Sequence, residues 1–430
     1  MWKIALALAS AACAADAQIA LVAETGGETQ ERLVESALAR NGDLLAARQR
    51  LAEAQALLVQ SGLRPNPSLD LSLTSGAILN SPGEREIGLG YAHTFELGGK
   101  RERRIEAGKA GVDLVRAGIA DRERLLRADV RSRFAEALAA ARNLESAGRL
   151  LELNQQSYEI AQARTRQGEG SLLEEGLLRV EVNRIRSDRL LFANQVERAV
   201  AQLKTLCGRA PDEPLRISGV LAAPALTVSL ESALERAIGA RPDLLAARIE
   251  EALDDAALRM ARSDAVPNLV ASARYSRVTA RFDQFGLAGP GGPVVPLRDT
   301  DNLLSGGISI NLPLRNRNQG NIQAAVARRQ SAALRRRFVE QVVREEVSTA
   351  FRRYQTARQA LAIFDEGVIR QSQENVRILR AAYQLGEIRL MDVINEQRRL
   401  VDTQRAYTEL LKEARLAEVE LERAVGAPIF

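Results

Sequence analysis

The same order of segments occurs twice along this chain, and the duplication constrains the fold more than any single motif does. The segment ESALARNGDLLAAR at 35–48 returns as ESALERAIGARPDLLAAR at 231–248, and Pro67 returns as Pro267. The segment LCGRAP at 206–211, at the end of the first copy, corresponds to AVGAP at 424–428, at the end of the second. Such self-similarity indicates two copies of one structural unit. We therefore predict two repeat halves, 18–208 and 229–430, joined by a proline-containing linker at 209–228.

Each half is predicted to contain a helix, two strands, a very long helix, a turn and a second long helix. The first half has helices at about 29–62, 101–166 and 171–208 and strands at about 67–76 and 86–97; the second has helices at about 229–263, 318–383 and 388–425 and strands at about 267–281 and 303–314. The run 101–166 has no proline and would form a helix about 100 Å long. Ser171 and Glu174 have the spacing of a capping box. An apolar seam of nearly 3.5-residue spacing in the last helix indicates coiled-coil packing.

The four predicted strands share a strict alternation of apolar and polar residues. They read PSLDLSLTS from Pro67, REIGLGYAHTFEL from Arg85, NLVASARYS from Asn268 and GISINLPL from Gly307. Segments of about 9–11 residues with this alternation are typical of membrane strands that have lipid on one side and water on the other. A half-buried strand of a soluble sheet gives the same pattern, so the alternation alone leaves both interpretations open.

The surroundings of the strands favour the membrane. We predict two isolated hairpins, with tips at Asn80–Gly83 and Phe285–Asp299, and with helices entering directly at the opposite end, an asymmetry typical of outer-membrane barrels. Unpaired backbone groups are costly in hydrocarbon, so a lipid-exposed sheet has to close. Since about eight strands make the smallest closed barrel, four strands require further copies of the chain. Two copies would give eight strands and three would give twelve, and the residues alone do not decide between them.

The N-terminus has the pattern of a secretory signal at 1–17. Lys3 precedes a short apolar run, and Ala15-Asp16-Ala17 is a cleavage site of the A-x-A type. Alternatively, the segment before Cys13 loosely resembles the lipid-attachment box of bacterial lipoproteins, in which case Cys13 would be acylated. After cleavage at Ala17 only Cys207 remains, so we expect a small buried residue near a helix end rather than an intramolecular disulfide. No later window contains the ~18 consecutive apolar residues of a transmembrane helix.

Composition and motifs exclude several functions. The 60 basic and 55 acidic residues nearly balance, and for an exported chain the cluster Arg335–Arg337 indicates a solvated helix face rather than a nucleic-acid site. There is no phosphate-binding glycine loop, nucleophile elbow or HExxH pattern, so we predict neither an enzyme nor a cofactor. His93 is the only histidine, and it leaves no recognisable transition-metal cluster.

The repeated architecture, the segment YQLGEIRLMDVI at 383–394 and the closing glycine resemble the TolC-like outer-membrane efflux family. RPNPSLDLSL at 64–73 and FELGGKRERR at 95–104 resemble its cobalt–zinc–cadmium resistance (CzcC-like) branch. The resemblance implies a fold that is mainly α with a membrane β-barrel. It implies a homotrimer with a twelve-stranded barrel in outer-membrane lipid, continued by a periplasmic α-helical barrel, with no catalysis and no cofactor.

The resemblance also implies partners and a substrate. A passive channel of this kind serves an inner-membrane pump of the resistance–nodulation–division (RND) class and a periplasmic membrane-fusion adaptor, and this branch would expel divalent metal cations. The same kind of duct for drug efflux or type I protein secretion is an alternative. A periplasmic coiled-coil adaptor or scaffold without a pore is an alternative of another class, although adaptors lack four alternating strands in two related hairpins.

The family's gate residues map partly onto the turn in the second half. The gate tyrosine matches Tyr383, the turn glycine matches Gly386, and the inward-facing aspartate matches Asp392. A second acidic position is Asn395 here, so the pairing in the gate has to differ. The gating arginine corresponds to Ile388, and we expect the nearby Arg389 or Arg380 to replace it.

In the first half, Gly168 marks the equivalent turn, and Glu174 occupies the position of Asp392 with Glu175 beside it. Three copies would arrange Asp392 as a ring of carboxylates, which lowers the barrier for cations in a narrow constriction. Asp392 and Glu174 would also complement the positive end of a helix dipole. The two roles are compatible, and both remain open.

Overall fold

The computed structural model describes residues 26–76, 84–222, 228–385 and 387–429. The predicted signal at 1–17 with Cys13, the hairpin tip Asn80–Gly83, part of the linker and the turn residue Gly386 lie outside the described residues.

The elements follow the predicted order in both halves. In the first half they are α1 (Gln30–Arg40), α2 (Gly42–Ser61), β1 (Ser68–Ser75), β2 (Arg85–Phe95), α3 (Lys100–Arg166) and α4 (Leu172–Leu206); in the second they are α5 (Leu230–Ala240), α6 (Pro242–Asp264), β3 (Leu269–Leu287), β4 (Val294–Ile310), α7 (Gln319–Ile363), a π-helical turn (Phe364–Val368), α8 (Ile369–Gln384) and α9 (Leu390–Val425). None of the helices in the described part of the chain is long and apolar enough to cross a membrane.

The first predicted helix of each half is divided into two, which corrects the single helices expected at about 29–62 and 229–263. The backbone is extended at Asn41 (φ −60°, ψ 123°) and at Arg241 (φ −68°, ψ 121°). Asn41 restarts the helix by accepting the backbone N–H of Leu44 at 3.1 Å. Arg241 precedes Pro242, which disfavours a helical backbone before it and then suits the first helical position.

A second interruption divides the helix predicted at about 318–383. Gly367 lies within the π-helical turn at φ 132°, a backbone conformation that residues other than glycine rarely adopt. Next to it the ring of Phe364 stacks on Tyr407 with centroids 6.2 Å apart, and the Tyr407 hydroxyl donates to Asp365 at 2.8 Å. At the interruption, residues of the π-helical turn therefore contact α9, and the sequence pattern of α7 alone does not predict these contacts.

The chain forms two compact units. One consists of the described parts of Met1–Arg50, Ala117–Ala246 and Arg337–Phe430, and the other consists of Leu51–Arg116 and Ala247–Arg336. The first unit is helical, and its two halves bury equivalent positions: Leu33, Ala37 and Leu44 lie in one core cluster, and Ala233, Ala237 and Leu244 in another. Cys207, the C-cap of α4, is fully buried there, which confirms its expected place, and burial raises the pKa of its thiol to about 11.

The second unit contains one antiparallel sheet of order β1-β2-β3-β4. The two hairpins are therefore not isolated, which corrects the prediction, because β2 also pairs with β3 from Arg85↔Thr279 to Phe95↔Leu269. Strands β3 and β4 are also longer than predicted, with 19 and 17 residues. β1 and β4 each keep one edge without a strand partner in the described part of the chain.

The two faces of this sheet differ sharply in polarity. One face presents large apolar side chains, many of them strongly exposed, such as Leu71 at 79% and Leu304 at 81%. The strand registers place the following residues on that face: Leu69, Leu71, Leu73, Ile87, Leu89, Tyr91, Phe95, Leu269, Tyr275, Leu304, Ile308 and Ile310. The other face carries Asp70, Ser72, Thr74, Gly88, Gly90, Ser272, Arg274, Ser276, Ser305 and Ser309. An exposed apolar face of this extent needs an apolar environment.

Candidate functional site

The two turns between long helices have the same backbone hydrogen bonds. In the first half, Gln167 N–H donates to Ala163 at 3.2 Å and Glu169 N–H donates to Arg164 at 3.0 Å. In the second half, Leu385 N–H donates to Ala381 at 3.2 Å and Glu387 N–H donates to Ala382 at 3.0 Å. This is the pattern of a Schellman helix ending. Gly168 takes the required left-handed conformation at φ 79°, so the turn repeat is present in the backbone as well as in the sequence.

The structure brings Tyr383 and Glu174 together. The Tyr383 hydroxyl donates to the Glu174 carboxylate at 3.4 Å, which joins the end of α8 to the first turn of α4. Burial, and then the negative charge of Glu174, raise the pKa of the Tyr383 phenol. Beneath this contact lies a small apolar cluster in which Leu178, Leu390 and Ile394 are buried. Two gate candidates from different halves are therefore in direct contact.

The capping box predicted from Ser171 and Glu174 is wrong. Ser171 is the N-cap of α4, but its side chain makes no capping hydrogen bond. The Glu174 carboxylate accepts a hydrogen bond from the Tyr383 hydroxyl and not from a backbone N–H at the start of its own helix. Glu175 lies beside it in the first turn of the helix, where acidic side chains suit the helix dipole. A contact with another helix has thus replaced the local cap.

Asp392 does have the predicted helix-terminal role. Its carboxylate accepts the backbone N–H of Arg389, the N-cap of α9, at 3.2 Å. Asp392 and Asn395 are both exposed, whereas Val393 and Ile394 between them are buried. Positions three apart on a helix lie on one side, so Asp392 and Asn395 present a common polar surface next to the turn.

Arg380, one of the two arginines expected to replace the family's gating arginine, faces α9. With the side-chain amide of Gln397 oriented for bonding, its oxygen accepts from Arg380 Nη2 at 2.7 Å and from Nε at 3.1 Å. Arg389, the other candidate, is exposed. A groove of about 800 Å³ lies at the helix ends, and its lining includes Arg380, Gln397, Tyr383, Glu174 and Leu178.

The sequence reading missed a charged network between α4 and α9. The buried carboxylate of Glu181 accepts from Arg184 at 2.7 Å and from Arg398 at 2.6 Å. Burial acts to raise the pKa of Glu181, but the hydrogen bonds from the two arginines outweigh it and hold the pKa below its usual value. Arg405 bonds to Asp188 at 2.9 Å. Glu181 and Asp188 are seven residues apart on α4, and Arg398 and Arg405 are seven residues apart on α9. This shared heptad spacing is the sequence signal that would have predicted the two ion pairs.

On the polar face of the sheet, Arg274 reaches across β2 to β1. Its guanidinium donates to the Ser72 hydroxyl and lies 3.6 Å from the Asp70 carboxylate. Gly88 lies between them in β2, and a Cβ there would come within 2.6 Å of Ser72 Oγ. The glycine therefore lets a charged side chain lie flat on this face.

The described residues contain no group of three or more His, Cys, Asp or Glu placed to hold a metal ion. The ring of His93 meets the ring of Phe95 edge-on with centroids 4.6 Å apart. Its Nδ1 is buried without a hydrogen-bond partner, so His93 is built into the strand surroundings rather than into a ligand cluster.

A sheet with one apolar and one polar face and two open edges, in one chain with paired long helices, defines a protomer of a membrane channel. The chain matches the outer membrane efflux protein family over 33–209 and 233–427, and it belongs to that family. It is therefore a channel protein and not an enzyme.

Two relatives are metal-resistance proteins. The cobalt-zinc-cadmium resistance protein CzcC of Cupriavidus metallidurans is 23% identical over 409 residues, which cover 93% of this chain and 90% of the relative. The nickel-cobalt-cadmium resistance protein NccC of Alcaligenes xylosoxydans xylosoxydans is 26% identical over 297 residues, 67% of this chain and 61% of the relative.

Solved channels share the fold. The structure of CusC, described in connection with transmembrane channel formation, superposes with a TM-score of 0.76 at 20% identity and covers 95% of this chain and 96% of its own. The outer membrane protein VceC of Vibrio cholerae gives a TM-score of 0.71 at 20% identity, with 93% of this chain and 97% of its own covered.

Proposed function

We propose that the chain is the outer-membrane exit duct of a tripartite efflux system and that its substrates are divalent metal cations. The observation that carries this proposal is the four-stranded sheet with an exposed apolar face and two open edges. Such a sheet suits lipid only when further strands pair with β1 and β4. Sister copies of the chain supply those strands.

Three copies meet this need better than two. Two copies of the four-stranded sheet would supply eight strands, and side chains fill the interior of a barrel with about eight strands. Three copies would supply twelve strands, enough for an open lumen lined by the polar face. The helical unit then lies in the periplasm, and the hairpin ends of the strands face outside.

The proposed partners are an inner-membrane RND pump and a periplasmic membrane-fusion adaptor. The duct itself has no energy source, so a pump has to supply the substrate against its gradient. The helix turns, with the groove beside Tyr383 and Glu174, are the proposed meeting point. Nucleic acid is not a partner in this proposal.

Metal cations are the proposed substrate for two reasons. Both relatives reported above carry metal-resistance names, and an exposed Asp392 beside the turn would form a carboxylate ring in a trimer. A duct does not need tight ligands, because tight binding slows release.

Planar-bilayer recording with the purified protein tests the duct. We expect discrete conductance steps and a trimer that dissociates on heating; a protein that leaves the bilayer insulating contradicts the pore and favours the scaffold alternative. Deleting the gene and measuring cellular cobalt, zinc and cadmium tests the substrate. Accumulation of these cations in the deletion strain is expected, whereas unchanged metal content with increased drug sensitivity supports a drug duct.

A further inference from the structure

Between the helical core and the turn, the second half is one residue longer than the first. In the core, buried residues of the two halves correspond with equal spacing: Leu126, Val130, Phe134 and Leu144 in α3, and Val343, Val347, Phe351 and Leu361 in α7. At the two turns, Ala163 and Ala381 accept the equivalent backbone hydrogen bonds. Ala163 follows Leu144 by 19 positions, whereas Ala381 follows Leu361 by 20. One additional residue therefore lies between Leu361 and Ala381.

The π-helical turn lies in this interval and accommodates the additional residue. A π-helical turn takes one residue more than an α-helical turn and occurs as a local bulge within α-helices, often at functional sites. In the first half α3, described along its whole length, is one uninterrupted α-helix. From Ser171 to Leu203 in α4 and from Arg389 to Leu421 in α9, the number of residues is the same. The difference between the halves is therefore confined to the helical segment that leads to the second turn.

The π-helical turn separates a buried segment from an exposed one. Before the turn, Leu361 is 2% exposed and belongs to the core cluster. None of the five residues of the turn, all of which the structure describes, is buried. Within α8, also described in full, only Val376 is buried. Segments with few buried apolar contacts open locally at low cost, and Gly367 at φ 132° gives the backbone a freedom that other residues lack.

One aromatic side chain of α9 holds the turn in its present shape. The ring of Tyr407 stacks on Phe364 with centroids 6.2 Å apart, and its hydroxyl donates to Asp365 at 2.8 Å. The guanidinium of Arg142 on α3 lies 5.4 Å from the centre of the same ring. Burial, and then the hydrogen bond to Asp365, raise the pKa of the Tyr407 phenol, so the hydroxyl remains a donor at neutral pH.

Below Tyr407, α9 is fastened to α4 and α8 is not. Two ion pairs join α9 to α4, Glu181 with Arg398 at 2.6 Å and Asp188 with Arg405 at 2.9 Å. α8 reaches α4 at its far end, through the 3.4 Å hydrogen bond from Tyr383. A single long hydrogen bond is weaker than two ion pairs with partly buried carboxylates, so α8 is the element that can move against the other two.

We propose that the π-helical turn is a hinge on which α8 swings away from the fixed pair of α4 and α9, and that Tyr407 is the latch that keeps the hinge closed. The inference rests on the proposed function, because the swing would open the turns of a duct. It breaks the hydrogen bond between Tyr383 and Glu174 and widens the groove beside them. The continuous α3 offers no equivalent hinge in the first half.

The test removes the hinge and the latch separately. Deletion of Gly367 returns the segment to the residue count of the first half, so the turn should become regular α-helix. Tyr407→Phe keeps the ring on Phe364 and removes only the hydrogen bond to Asp365. Gly148→Ala is the matched control, because this glycine lies in the corresponding stretch of α3 with open space around it. Migration of the trimer before and after heating verifies assembly of each variant.

Single-channel open probability should change in opposite directions in the two variants. Without the hinge, α8 swings only by breaking a backbone hydrogen bond of a regular helix, so deletion of Gly367 should lower the open probability about two- to tenfold. Without the latch hydroxyl, Tyr407→Phe should raise it about two- to tenfold. Gly148→Ala should leave it unchanged. A deletion variant that opens as often as the wild-type protein, or a Tyr407→Phe variant that opens no more often, overturns the proposal.

Hydrogen exchange tests the hinge without any conduction. In the wild-type protein, the amides of 364–368 should exchange about tenfold faster than those of 146–150 in α3, and deletion of Gly367 should remove the difference. Equal exchange of the two segments in the wild-type protein refutes the hinge. Should the deletion variant fail to assemble, wild-type exchange and the open probability of Tyr407→Phe decide. A wild-type protein that never conducts contradicts the duct, whereas one that conducts with equal exchange contradicts the hinge alone.

Discussion

Asn41 and Arg241 occupy equivalent positions in the two halves, and each donates a hydrogen bond to the last turn of the final helix of its own half. Asn41 Nδ2 bonds to the Leu206 carbonyl at 3.0 Å, and Arg241 Nη1 bonds to the Ala424 carbonyl at 3.1 Å. Both halves therefore keep a side-chain hydrogen bond between this position and their final helix, but the donor is an amide in the first half and a guanidinium in the second. In the second half the buried guanidinium also bonds to Asp243 and Glu346, at 2.5 Å each.

Replacing Arg241 should therefore be costly. Arg241→Met leaves Asp243 and Glu346 without their partner, and we expect a loss of about 3 kcal/mol in the free energy of unfolding. The midpoint of guanidinium unfolding of the protein in detergent measures this. Arg236→Met, which replaces an exposed arginine of α5, is the control and should change the free energy by less than about 0.5 kcal/mol. Equal midpoints for the two variants would contradict the stabilising role of Arg241.

The glycine that follows the final helix of the first half should tolerate no side chain. Gly208 has φ 64°, and a Cβ there would lie 2.3 Å from the Arg40 carbonyl oxygen. We expect Gly208→Ala to destabilise the protein by at least about 2 kcal/mol. Gly176→Ala, within α4 and with open space around it, should instead stabilise it by up to about 1 kcal/mol. Thermal unfolding followed by circular dichroism gives both signs, and destabilisation by both variants would refute the distinction.

Glu181 should give the channel a defined acid sensitivity. Its folded-state pKa lies below the ordinary value of 4.5, so its contribution to stability is complete above that value and is lost as the pH falls through the folded pKa. Glu181→Gln removes charged hydrogen bonds and should cost about 1–3 kcal/mol at pH 7.

The difference in unfolding midpoint between the wild-type protein and Glu181→Gln should then shrink below pH 4.5. Glu159→Gln, an exposed change on α3, should show no difference at any pH. A difference that grows on acidification would mean that the pKa of Glu181 is raised in the folded protein.

The hydroxyl of Tyr383 should hold the turns in a closed arrangement. Tyr383→Phe removes one hydrogen bond to Glu174, worth about 0.5–1.5 kcal/mol, so the open population should rise about two- to tenfold. Single-channel open probability measures the change. Tyr158→Phe is the matched control, because Tyr158 packs in the same small cluster but its hydroxyl contacts Gln162 on its own helix. An open probability that rises equally in both variants would point to packing rather than to the Glu174 contact.

Asp392 should make the channel sensitive to multivalent cations applied from the periplasmic side. Asp392→Ala removes both the charge and the hydrogen bond from Arg389, whereas Asp392→Asn keeps an acceptor and removes only the charge. We expect both variants to raise the half-blocking concentration of a divalent cation about tenfold. Block that weakens only in the alanine variant would leave Asp392 as a helix cap alone.

The sequence predicted those features that depend on local periodicity. Alternation located the strands and both of their faces, because each residue's side in a strand follows from its position alone. The turn at Gly168 was found because the second half repeats its Gly-Glu pair, and Glu169 and Glu387 also make the same backbone hydrogen bond. Helix ends at Arg166 and Val425 were also within reach of pattern and capping rules.

What the sequence did not reveal depends on partners that lie far along the chain. Glu174 fits a capping box by spacing, yet a tyrosine 209 residues away takes its carboxylate. The break at Asn41 is stabilised by the carbonyl of Leu206, and the π-helical turn beside Gly367 packs against Tyr407. Local rules score these segments as continuous helices, and only the tertiary contacts favour the interruption.

The open edges of β1 and β4 also have a genetic consequence. In the proposed ring every protomer seals two seams, one with each neighbour, so a single chain with a damaged edge strand spoils the entire pore. Cells that express intact and edge-damaged versions together would then lose far more transport than the share of faulty chains accounts for. An edge-strand mutation in this protein should behave as dominant.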